Sequence, residues 1–86
     1  MHELSLALNV CRIVEEAVGP DQLGSVRQVG LEVGERSGVE VANLEFCLEA
    51  VLSTPPFSRA RATVARTPGH DLRVTWLEVE DDGPPD

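Results

Sequence analysis

The chain begins Met1, His2, Glu3, placing an α-amine, an imidazole and a carboxylate within three positions. An α-amine titrates near ~7.7–8.0 and an imidazole near ~6.5, so both offer lone pairs to a metal close to neutral pH. The amides between them lose their protons to a metal that enforces a planar nitrogen field. With Met1 retained and unblocked, its amine, the amides of His2 and Glu3 and the His2 ring fill four in-plane positions. That set suits Ni(II) or Cu(II) rather than tetrahedral Zn(II). Because the ligands must shed protons, binding should weaken on acidification. A plainer reading stands beside it: a glutamate in a first helical turn faces the helix dipole, and a surface histidine needs no purpose.

No other group of residues competes. His70 lies in a turn, where solvation is its simplest state. Ser37 and Ser53 have no evident base partner, and no glycine-rich phosphate loop occurs. Nothing here reads as an enzyme. Cys11 and Cys47 stand far apart without a CxxC pair and read as small buried hydrophobes. The acids Glu78, Glu80, Asp81 and Asp82 would hold divalent cations only loosely. Arg59, Arg61, Arg66 and Arg73 cluster in the last third of an otherwise acidic chain, either as a docking face for an acidic partner or as scattered solvated charge.

The elements that must position the terminus follow from pattern. Leu4, Ala7, Leu8, Cys11, Val14 and Val18 recur at helical spacing, with Ser5, Asn9, Arg12 and Glu16 opposite. Leu6, Val10, Ile13 and Ala17 widen the apolar arc, which suits contact with a sheet and a second surface. Gly19–Asp21 ends this helix. Val29, Leu31 and Val33 alternate with Gln28, Gly30 and Glu32 in a strand that Gly34 closes. A second helix runs from about Glu40 to Leu52, with Ser37 or Gly38 as its cap, until Pro55 and Pro56 break it.

"RARATVAR" and "LRVTWLEVE" then read as two strands joined as a hairpin at "TPGHD". The last carries apolar residues on both faces and is expected at the centre of the sheet. The expected fold is α/β: two helices packed on a three-stranded mixed sheet in the order α-β-α-β-β, spanning residues 1–80. Residues 81–86 are expected to form a disordered acidic tail.

The whole is 86 residues with formal charge −8, seven arginines and no lysine. Such a chain is a poor partner for nucleic acid or an anionic membrane. With few aromatics, its core must come from Leu, Val and Ala, and only about 60% of the unfolded surface is buried at this size. That leaves a homodimer or partner contact as an open alternative to deeper burial of the first helix. No run reaches the roughly 18 apolar residues of a membrane span, and no secretory leader precedes the helix, so the expected location is the cytoplasm.

"MHELSLA" at the start, "LEVGERSGVE" at Leu31 to Glu40 and "LEFCLEAV" at Leu44 to Val51 resemble the HypA-type nickel-incorporation chaperones that mature hydrogenases and, in some organisms, urease. The likeness runs to about residue 66 and resumes in "LRVTWLEVE". It implies a nickel metallochaperone using Met1, His2 and Glu3, with an acidic supporting residue that falls on Glu40. It also implies a nickel-inserting, GTPase-type maturation factor and a hydrogenase large subunit as partners. That family inserts a zinc ribbon with two CxxC pairs between the final strands, where this chain has "TPGHD". No structural zinc site is therefore expected. The alternative is an interaction module that kept the fold and no longer carries metal.

Overall fold

A computed structural model describes residues 2–80. Met1 and the expected tail at 81–86 lie outside the described residues. The order is helix α1 (Glu3–Val18), a 3-10 turn (Pro20–Ser25), strand β1 (Val26–Gly34), helix α2 (Val41–Leu52), strand β2 (Arg61–Thr67) and strand β3 (Leu72–Val79). The expected class and element order are those observed. No described helix is long and apolar enough to cross a membrane.

The sheet order is β2-β1-β3, with β1 parallel to β2 and antiparallel to β3. Two expectations are thereby corrected: the last two strands do not pair as a hairpin, and β1 rather than β3 is central. The connection at 67–71 instead passes over the end of β1. Gly34 N–H donates to Asp71 O at 2.8 Å, Glu35 N–H to Thr67 O at 2.7 Å and Arg36 N–H to Gly69 O at 2.8 Å. Two strand spacings come to about 10 Å, which a few residues at ~3.3 Å each can bridge. The β1-α2-β2 crossover places β2 beside β1 on one side, and only the other side is left for β3.

The apparent two-faced apolarity of β3 has a local cause. Its pairing with β1 shifts register between Gly30 and Leu31, which sit opposite Trp76 and Val74 and leave Thr75 as the extra residue. Leu72, Val74 and Leu77 all pack against the core, while Trp76 turns outward and lies 47% exposed. A one-residue slip moves every later side chain to the other face. Gly30 makes room for this, because a Cβ at that position would fall inside the Trp76 indole.

The helices lie against the inner face, where Val29, Leu31 and Val33 meet Ala7, Val10 and Val14 of α1 and Leu44, Leu48 and Leu52 of α2. Full burial of each such Val or Leu contributes about 1.5–3 kcal/mol. The core is indeed Leu, Val and Ala, with Phe57 as its one aromatic. Leu4 and Leu8, expected on the packed stripe of α1, are exposed instead. The helix turns its 3-7-10-14 series inward, which puts Glu3 in the interior.

Candidate metal centre

His2 is the N-cap of α1, with extended backbone at φ −85° and ψ 97° and an exposed side chain that makes no capping hydrogen bond. Its carbonyl accepts the first bond of the helix, from Leu6 N–H at 3.2 Å. The amides of His2 and Glu3 precede the helical ladder, whose first donors have no intrahelical acceptor. A proton lost from either therefore breaks no helix bond. The imidazole is thus exposed, and both amides lie at the beginning of the helix, outside its ladder.

Rigidity comes from the neighbouring carboxylate. Glu3 is only 7% exposed, the sole buried charged residue among those described. Its Oε2 accepts the backbone N–H of Glu40 at 3.1 Å, and its Oε1 accepts Asn43 Nδ2 at 2.9 Å. Glu40 is the N-cap of α2, and Asn43 lies in that helix's first turn. Glu3 therefore ties the start of α2 to α1 by satisfying the backbone N–H of its N-cap residue, with its negative charge at the positive end of the helix dipole. This corrects the expectation of a Ser37 or Gly38 cap: Ser37 Oγ accepts Val39 N–H at 3.2 Å instead.

The donors hold the Glu3 carboxyl below the ordinary carboxylate range. The Glu40 backbone N–H acts most strongly and Asn43 next, against an opposing push from burial. A depressed carboxyl stabilises the fold above its unfolded value, and that contribution is lost as pH falls through the folded value.

The sites read from sequence come together unevenly. Glu3 and Glu40 meet, but through the Glu3 carboxylate and the Glu40 amide, while the Glu40 side chain stays exposed. His70 sits over the end of β1, its Nδ1 3.4 Å from Arg36 O. The thiols of Cys11 and Cys47 are free and half-buried, and burial pushes the Cys11 thiol up, away from the thiolate a metal needs. Among the described residues no three His, Cys, Asp or Glu side chains gather to hold a metal.

Nothing in the spacing around Asn43 marks it as a partner of Glu3. Its partner was detectable, since Glu3 shares the helical phase of Ala7, Val10 and Val14, and a glutamate in that phase requires buried donors.

A model of the hydrogenase/urease nickel-incorporation metallochaperone family, HypA, matches residues 1–75. The chain belongs to the HypA family. The hydrogenase maturation factor HypA of Albidiferax ferrireducens is 39% identical over 69 residues, covering 80% of this chain and 61% of that protein. The factor of the same name from Azotobacter vinelandii is 35% identical over the same length and the same shares. The chain thus spans about three-fifths of the length of the curated relatives it matches. Among solved structures, that of the Ni metallochaperone HypA from Helicobacter pylori covers 95% of this chain, and this chain 100% of that one, with a TM-score of 0.77. At 16% identity that likeness establishes the HypA fold alone.

Proposed function

We propose that this chain is a nickel metallochaperone that takes up Ni(II) at its amino end and releases it to a partner maturing a nickel enzyme. The ligands are the Met1 amine, the amides of His2 and Glu3 and the His2 imidazole, with the Glu40 carboxylate as an outer acidic support. The observation that carries this reading is an exposed His2 on amides outside the helical ladder, beside a Glu3 whose side chain is already engaged. The Glu3 carboxylate fixes where the helix starts, so the metal sees its amide in a set position.

Chelation by neighbouring nitrogens needs a nearly eclipsed N–Cα–C–N torsion. His2, at ψ 97°, must therefore turn about its Cα–C bond as metal is captured. The exposed side swings while the pinned helix stays. Handover by ligand exchange reverses that turn. The cargo passes to a GTPase-type insertion factor and from there to a nickel enzyme, with a hydrogenase large subunit as the proposed recipient. Hydrolysis belongs to the partner, and this chain carries rather than catalyses. The setting is the cytoplasm, where such enzymes are assembled.

Titration of Ni(II) into protein with its native start, beside His2→Ala and a variant extended by one residue before Met1, tests the reading. Tight binding by the first alone supports it, and equal binding by all three overturns it. The second reading, an interaction module without metal, draws on the short connection at 67–71, bonded directly onto the end of β1. It predicts that equality.

A further inference from the structure

The opposite end of the sheet is built differently. Two adjoining grooves of about 780 and 790 Å³ open where β2 begins, and both are lined by Ser53, Ser58, Arg59 and Arg61. Arg27 and Phe57 extend the second groove, while Glu45 and Glu49 of α2 form the far wall of the first. The chain carries −8 overall, yet Arg59 and Arg61 have no carboxylate within ion-pair distance among the described residues. The pairs present there are Arg27 with Glu80 and Arg73 with Glu32. At physiological ionic strength charges farther than ~8 Å are largely screened, so a ligand at this mouth meets the local arginines before the net charge.

β2 is also an edge. It pairs with β1 on one side, and no strand covers its other side among the described residues. An uncovered edge presents main-chain donors and acceptors that an extended peptide can complete. Arg61 opens β2 and Arg59 lies in the bend two residues before it, so the two charges flank the start of the edge, where same-face acids of an added strand recur about every 7 Å. A compact anion would use one or two of these groups and none of the edge.

We propose that the free edge of β2, with Arg59 and Arg61 at its mouth, docks an extended polypeptide segment of a partner protein that carries acidic side chains at alternate positions. Its acids face the arginines. Its uncharged positions face α2, because Glu45 and Glu49 repel acids there.

The test uses the full chain without nickel, so its failure is distinct from failure of the metal reading. The probe is a capped octapeptide of alternating glutamate and threonine, followed by amide NMR shifts and by fluorescence anisotropy. Saturable binding with shifts along 61–67 is expected. Arg59→Ala with Arg61→Ala, its fold confirmed by circular dichroism, should weaken it about tenfold or more. Raising ionic strength from about 0.05 to about 0.5 M should weaken it comparably, as should N-methylation of the peptide's edge-pairing amides. Undiminished binding by the double variant or by the methylated peptide overturns the proposal. So does an absence of binding, or full displacement by inorganic phosphate or a single-stranded oligonucleotide.

Discussion

The two ends of the sheet use charge in opposite ways. At the end where both helices begin, the buried Glu3 carboxylate is met by a backbone N–H and an amide side chain, and the connection at 67–71 is bonded onto β1. At the other end, exposed arginines line open grooves beside a strand edge that no other strand covers among the described residues. A charge that organises the fold is dehydrated and satisfied; one left to meet a partner stays hydrated. The first end holds the start of α1 against α2, which is what the proposed capture of a metal by backbone nitrogens requires, and the second leaves a surface accessible.

The largest effect should come from removing a proposed ligand at the amino end. His2→Ala, or a residue added before Met1, should lower Ni(II) affinity by about 100-fold or more, since a ligand is lost outright. Calorimetry and the visible absorption of planar nickel would show it. In the native protein, nickel-induced NMR shifts should be concentrated in the first helical turn, because the His2 torsion is what changes. Shifts spread through α2 would mean that capture dislodges the Glu3 tie.

Next is Gly34→Ala. Its methyl would run into the backbone of Gly69 and His70, so the connection must lift off β1. The expected cost is about 2–3 kcal/mol, a fall in Tm of roughly 10 °C or more. An unchanged Tm would show that this end is looser than its hydrogen bonds imply.

Glu3→Gln sharpens the contrast between buried and hydrated charge. The amide keeps an acceptor but points a donor at the donors of Glu40 and Asn43, so Tm should drop by several degrees. Because the Glu3 carboxyl is held low, the native protein retains this contribution through mild acid and loses it only as pH falls below the ordinary carboxylate range. The variant's acid limb should be flatter in urea melts taken across pH. Parallel limbs would remove Glu3 as the cause.

Gly30→Ala should cost less than Gly34→Ala, about 1 kcal/mol, because the half-exposed Trp76 can swing away where backbone cannot. A red shift in the chain's single tryptophan would report it. Smallest of all, Glu80→Gln removes the partly exposed pair with Arg27, 2.6 Å apart, and should change the urea midpoint by less than about 1 kcal/mol in stability. A larger loss would mean that the arginine end is organised by charge after all.

Much of the fold was legible from pattern. Periods of 3.6 and 2 marked both helices and all three strands, since backbone geometry alone sets which side chains share a face. Strand order was not. Apolar residues at both Trp76 and Leu77 suggested a strand buried on two faces, whereas a bulge at Thr75 had shifted the phase of a strand buried on one. At the metal end, His2 and Glu3 were visible as types and spacing. In sequence the Glu3 carboxylate has only its own helix dipole to face, because the partners that claim it lie on another helix.

Sequence by itself determined the type and order of the helices and strands, the composition of the core and the presence of a nitrogen-rich start, all properties of neighbours along the chain. Tertiary structure alone decided that β1 is central, that Glu3 ties α1 to the start of α2 and that Arg59 and Arg61 lie beside an edge no strand covers among the described residues. Each of these depends on which distant groups exclude water together, and dehydration is settled by packing in three dimensions rather than by order along the backbone.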